Sequence, residues 1–148
     1  MSPPSSTTQT SVVIRSTSSG FAQEIVTGQH RFKADEPLSA GGSDTGPTPY
    51  ELLLAALGAC TAMTVTMYAR RKKLALDGMV VRLSHWKIHA EDCFDCHTEL
   101  GFLDRIDSEI ELTGSLTPDE RLILFEIAEK CPVYRTLTSE INIRSVLA

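Results

Sequence analysis

Four cysteines, at positions 60, 93, 96 and 131, are the residues of this 148-residue chain best suited to chemistry, and they sit in three different settings. Cys60 lies in LGACTAM, well inside a long apolar run, where a thiol is either a small core hydrophobe or a nucleophile. Cys131 immediately precedes Pro132 at a predicted helix break, where amides opening the next helix can stabilise a thiolate. Two such thiols, if folding brings them together, support a two-step cycle. One attacks a peroxide oxygen and becomes a sulfenic acid, and the other resolves it as a disulfide. Cys93 and Cys96 form a C-x-x-C turn, preceded by His85 and His89, four apart and therefore on one strand face. These four N and S donors make a candidate tetrahedral Zn²⁺ site. The same pattern also reads as a Cys93–Cys96 disulfide, or as surface groups with no special role.

The elements that must position these residues follow from local signals. SVVIRSTS, FAQEIVT and HRFKADE are short β-branched or alternating runs separated by Gly20 and Gly28, which predicts a three-stranded antiparallel meander. A long loop rich in Gly, Pro and small polar residues follows, of the kind that often lines a site. Thr48-Pro49-Tyr50-Glu51 is a capping box with proline at the first helical position. The helix it opens is apolar on nearly every face until a basic end from Arg70 to Lys73, which complements the helix dipole. A helix without a polar side has to be covered all round, and in so small a domain this predicts an obligate dimer. MVVRLSHWKIHA and a run from about Thr98 to Leu112 predict a long hairpin. A second capping box, Thr117-Pro118-Asp119-Glu120, opens a helix that Pro132 ends; PVYRTLTS reads as a short helix and EINIRSVL as a final strand. The order βββ-α-ββ-αα-β predicts an α+β domain with segregated layers.

Composition narrows the function classes. Hydrophobic residues are 42% and charged residues 22%, an ordinary globular mix for about one domain. Residues 1–10, with two Pro and six Ser or Thr, are expected to be a disordered tail, and residues 11–148 the domain. A net charge of −5 gives no basic field for nucleic acid or an anionic membrane, so neither is expected as a partner. No apolar run approaches the roughly 18 residues of a bilayer span, and the N-terminus lacks a signal-peptide pattern. The expected location is the cytoplasm, where cysteines serve metal binding, redox chemistry or simple burial.

GGSDTGPTPYELLLAALGACTAMTVTMYA, followed some seventy residues later by EIAEKCPVYRTL, resembles the OsmC/Ohr family of thiol-dependent peroxidases. The LGACTAM stretch lacks the aromatic flanks of the hydroperoxide-resistance pattern and resembles a broader OsmC-like branch. The resemblance implies an intertwined homodimer with antiparallel sheets wrapped around two long central helices. It also implies that Cys60 is the peroxidatic residue and Cys131 resolves it, and that Arg31, held by Glu51, activates the thiolate. For Glu51 the competing reading is a capping-box residue alone, and for Arg31 a solvated strand residue. Because a helix dipole fades within a turn, Cys60 needs such a cation to exist as a thiolate. The implied activity is reduction of organic hydroperoxides with no bound cofactor, using an external dithiol such as a lipoyl protein or thioredoxin. The alternative is a non-catalytic stress or binding protein that uses the 85–96 hairpin for zinc.

Overall fold

The computed structural model describes residues 9–148. The expected tail lies outside the described residues except for Gln9 and Thr10, which are exposed and belong to no element. The described chain divides into two compact units, one ending at Leu52 and the other running from Leu53 to Ala148.

The first unit is the expected meander. Strands β1 (Val13–Ser16), β2 (Gln23–Thr27) and β3 (His30–Ala34) pair antiparallel in the order β1-β2-β3. Thr27 faces His30 across the two-residue connection Gly28-Gln29, and Gly28 takes φ +57°, the left-handed value that a tight hairpin connection of this kind asks of its first residue. After β3 the loop folds back through Asp35, whose side chain is nearly fully buried. Its carboxylate accepts from the Glu36 and Thr45 amides at 2.8 and 3.1 Å and from Thr45 Oγ1 at 2.7 Å, while its own amide donates to Pro47 at 3.1 Å. The Thr45 hydroxyl, ahead of the amides, holds this carboxyl below the usual carboxylate range.

Helix α1 (Pro49–Lys72) starts where the capping box predicts: Glu51 N donates to Thr48 Oγ1 at 3.3 Å, and Thr48 N donates to Glu51 Oε2 at 2.7 Å. It ends with Lys73 in the left-handed region at φ +56°. There Leu74 N donates to Ala69 O and Lys73 N to Arg70 O, which satisfies two of the last four carbonyls. With an 18-residue window of mean hydropathy 1.7, α1 is long and apolar enough by length and composition to cross a membrane. That corrects the expectation that no apolar stretch reaches this length; the interrupting Gly58, Thr61, Thr64 and Thr66 shorten the apolar runs without lowering the average far. The helix was also expected to be covered on every side. Within this chain only the stripe Leu57, Thr61, Val65 and Ala69 is buried, a spacing of four that marks one face. Met63 and Met67 are about two-thirds exposed.

The rest of the second unit packs on that stripe. Strands β4 (Leu76–His89) and β5 (Phe102–Gly114) form the long hairpin, paired from Leu76↔Gly114 to His89↔Phe102. Helix α2 (Pro118–Ala128) opens on the second capping box, with Glu120 N donating to Thr117 Oγ1 at 3.1 Å and Thr117 N to Glu120 Oε2 at 2.8 Å. Leu124 and Ala128 of α2 join Val65 and Ala69 in a core whose other walls include Leu76, Met79, Ile110 and Leu112 from the hairpin. Helix α3 (Pro132–Leu137) follows as expected. The predicted final strand does not form: residues 140–148 are in no element and exposed, with Ile143, Val146 and Leu147 more than four-fifths accessible. Alternation suits a segment to be a strand, but a strand also needs neighbouring backbone to bond to, and among the described residues none pairs with it.

Candidate functional site

Cys60 and Cys131 are both free thiols, the first half-buried on α1 and the second completely buried. Cys131 is the N-cap residue of α3, with extended φ −64° and ψ 147° and Pro132 opening the helix behind it. Its Sγ accepts from Tyr134 N at 3.3 Å, which is the helix-start amide contact anticipated from the Cys-Pro pair. On its other side Sγ lies 3.6 Å from Thr61 Oγ1, the residue that follows Cys60 in the chain. The Thr61 hydroxyl has one proton and gives it to Leu57 O at 2.8 Å, so the Thr61–Cys131 contact has the thiol as donor. Seventy residues of separation are thus closed between the Cys60 turn of α1 and the α2–α3 junction.

Thr61 and Tyr134, the two partners of Cys131, also line a cavity of about 290 Å³ between α1, β5, α2 and α3. Leu57, Ile106, Phe125 and Leu137 give it an apolar wall; Asp104, Ser108 and Glu129 make its polar part. Cys131 is legible in the sequence as a candidate, whereas Thr61 and this cavity are not. The available signal was weak: a Thr beside a Cys on a helix says nothing about which distant element will meet it. Leu57 of α1 lines this cavity, whereas Met63 and Met67 of the same helix are largely exposed.

Arg31 and Glu51 belong to the first unit. Arg31 lies on β3 with Nη1 3.1 Å from Glu24 Oε1, an exposed pair across the β2–β3 ladder. Glu51 sits in the first turn of α1 with its carboxylate on the Thr48 amide, so its capping role is met directly.

The hairpin histidines and cysteines do not converge as four metal ligands. His85 Nε2 contacts Asp104 Oδ1 at 2.8 Å, and Lys87 Nζ reaches the same oxygen at 2.9 Å. The Lys87 contact first, then that of His85, holds the Asp104 carboxyl below its usual range. The His89 ring lies against Phe102 with centroids 4.2 Å apart. Cys93 and Cys96 are joined as a disulfide across the turn, their Cα atoms 5.5 Å apart. Of the readings the sequence leaves open for this motif, the disulfide is the one the fold contains; His85 Nε2 is on Asp104, both sulfurs are in the disulfide, and neither histidine joins the donors gathered at the turn.

A three-stranded meander, a long apolar helix with a cysteine in its middle, a long hairpin and a second cysteine capping a late short helix define an α+β class of cysteine proteins. Residues 41–146 match the family described as OsmC-like protein, and the chain belongs to that family. No curated protein sequence matches it. Among solved structures it is similar to the OsmC-like protein from Mycoplasma pneumoniae, at 16% identity, TM-score 0.68 and 89% coverage of each chain. It is also similar to an organic hydroperoxide resistance protein OsmC from Legionella pneumophila, at 20% identity and TM-score 0.65, covering 90% of this chain and 91% of that one. A third is the organic hydroperoxide resistance protein OhrB of Bacillus subtilis, at 21% identity and TM-score 0.59, covering 88% and 90%. At these identities the likeness establishes the fold.

Proposed function

We propose that this OsmC-like protein is a cysteine-based peroxidase that reduces organic hydroperoxides through Cys60 and Cys131. The observation that carries this reading is the contact of Cys131 Sγ with Thr61, one residue from Cys60, in a chain of this family. The Cys60 thiolate attacks the outer oxygen of a hydroperoxide, the O–O bond breaks, and the alkoxide leaves as an alcohol after taking up a proton. The resulting Cys60 sulfenic acid is attacked by the Cys131 sulfur, releasing water and forming a disulfide. An external dithiol, such as a lipoyl protein or thioredoxin, returns both cysteines to thiols and becomes a disulfide itself. Cys131 is held by Tyr134 N and lies against Thr61, the residue that follows Cys60 on α1. The apolar wall of the cavity beside Thr61 favours an organic substrate over hydrogen peroxide.

Arg31 is the cation we assign to the Cys60 thiolate and to the departing oxygen, with Glu51 orienting it. Releasing Arg31 from Glu24 costs little, since exposed ion pairs are worth about 0–1 kcal/mol. The working unit is a homodimer in the cytoplasm, and the uncovered face of α1 is the surface that a second copy would bury.

Hydroperoxide consumption with a dithiol tests the scheme. Cys60→Ser abolishes turnover, because a serine hydroxyl is no comparable nucleophile. Cys131→Ser completes one round and leaves a sulfenic acid on Cys60 that dimedone traps. Arg31→Ala slows the first step while both cysteines remain. Full turnover by Cys60→Ser, or dithiol cycling by Cys131→Ser at the parent rate, overturns the two-cysteine scheme in favour of a non-catalytic binding protein.

A further inference from the structure

The peroxidase scheme leaves the second cysteine pair without work. The hairpin ladder ends at His89↔Phe102, and the chain between them is a turn whose neck is closed by Ala90 N donating to Gly101 O at 2.8 Å. Cys93 and Cys96 are partly exposed there, and Phe94 between them is wholly exposed, so both sulfurs are within reach of solvent reagents. Asp95 Oδ1 lies 3.4 Å from Cys93 Sγ. A disulfide sulfur has no proton to give that carboxylate; a freed thiol does, and a metal ion on the freed sulfur can take the carboxylate as a further ligand. The donor atoms of Cys93, Asp95 and Cys96 all lie within 4.8 Å of one another. Zn–S bonds of about 2.3 Å and Zn–O bonds of about 2.0–2.2 Å set tetrahedral donor-to-donor edges of roughly 3.5–3.8 Å. The sulfur-to-carboxylate distance of 3.4 Å falls just short of such an edge. The rest of the tip is anionic, with Glu91, Asp92 and Glu99 nearby and no Lys or Arg from 90 to 101. Such a field attracts cations.

We propose that the hairpin tip is a redox-gated binding site for a thiophilic divalent cation, Zn²⁺ above all, with Cys93, Cys96 and Asp95 as its protein ligands. In the oxidised chain the S–S bond occupies both sulfur donors and the site is shut. A dithiol opens it by exchange: two electrons pass to the Cys93–Cys96 bond, the dithiol becomes a cyclic disulfide, and its two protons pass to the freed sulfurs. The cation then displaces those two protons and takes Asp95 as third ligand, leaving the fourth position to water or an incoming ligand. Opening needs the sulfurs to separate by less than two ångströms from bonding distance to roughly 3.8 Å, which side-chain rotation in an exposed turn supplies. This differs from a site built on His85 and His89, whose rings face Asp104 and Phe102.

The test uses the full chain and Co²⁺ as a spectroscopic stand-in for Zn²⁺, with anaerobic titration of dithiol-reduced, desalted protein. The reduced parent takes up one equivalent with a thiolate-to-cobalt charge-transfer band, and the oxidised parent develops no such band. The paired substitution Cys93→Ser and Cys96→Ser removes the band, whereas Cys60→Ser keeps it. Asp95→Asn retains the disulfide but weakens Co²⁺ binding by at least about tenfold. All of these substitutions except that at Cys60 lie in the exposed turn, and circular dichroism matching the parent shows that the fold is intact. A band that survives loss of both tip cysteines, or equal binding by the oxidised and reduced parent, overturns the proposal. Neither outcome depends on peroxidase activity.

Discussion

At the scale of single residues, every fully buried side-chain N or O atom among the described residues has a hydrogen-bond partner. Thr61 gives its proton to Leu57 and receives one from Cys131, so a hydroxyl inside an apolar helix stripe both stays satisfied and fixes the orientation of a thiol from another element. Asp35 does the equivalent for the loop that leads into α1, accepting two amides and a hydroxyl. Because its folded pKa is depressed below that of the unfolded chain, protons bind more readily to the unfolded state as pH falls. The contribution is therefore fully present above the ordinary carboxylate value of about 3.9 and is lost as pH falls through the folded value. Asp35→Asn should destabilise the protein at neutral pH, and its gap from the parent should narrow in acid. Denaturant midpoints measured from pH 7 down to the acid limit of the fold check this; a gap that widened in acid would contradict the sign.

At the scale of elements, the two helix starts carry the same device. Thr48 with Glu51 and Thr117 with Glu120 each close a reciprocal box, and proline follows each threonine, where its missing N–H costs nothing. Thr117→Ala leaves the Glu120 amide without its acceptor and should cost about 1 kcal/mol, within a range of about 0.5–2. Thermal or urea unfolding gives the value, and a neutral result would mean that water replaces the cap fully. The hairpin shows a different economy: thirteen or more residues per strand make a stiff arm that holds the Cys93–Cys96 turn away from its root. Arg82 pairs across that arm with Glu109 and Glu111 at 3.1 and 2.9 Å, a same-face cluster of strand residues.

At the scale of the whole molecule, too much apolar surface is left outside for a lone chain. Met63 and Met67 on α1, Leu122 and Phe125 on α2, and Val80 and Trp86 on β4 are all exposed. Exposed apolar side chains at this density mark interaction faces more often than free ones, and Met63 and Met67 lie together on the uncovered side of α1. The protein should sediment as a dimer at micromolar concentration and lose its fold when it dissociates. Met67→Asp places a charge on that face. On a free surface such a change moves stability by no more than about 0.5 kcal/mol, whereas at a dimer interface it should break the dimer. A stable folded monomer, or a Met67→Asp variant that sediments like the parent, would remove the basis for the dimeric unit.

Local signals were enough for much of this protein. The meander, both capped helices, the long hairpin and the helix after Cys131 were all legible, because caps, proline and alternation act over a few residues and mean the same thing wherever they stand. The candidate cysteines were legible for the same reason: thiols are few, and Cys-Pro at a helix break has a local meaning. What only the tertiary structure decided were the long-range choices. Nothing near residue 61 says that its hydroxyl meets Cys131, seventy residues away, or that one stripe of an all-apolar helix is covered while Met63 and Met67 are not. His85 turned to Asp104 and His89 to Phe102 because cross-strand register, which no single strand encodes, set their neighbours. Alternation in residues 140–148 describes a segment able to be a strand, but a ladder takes two strands, and among the described residues no second one pairs with it.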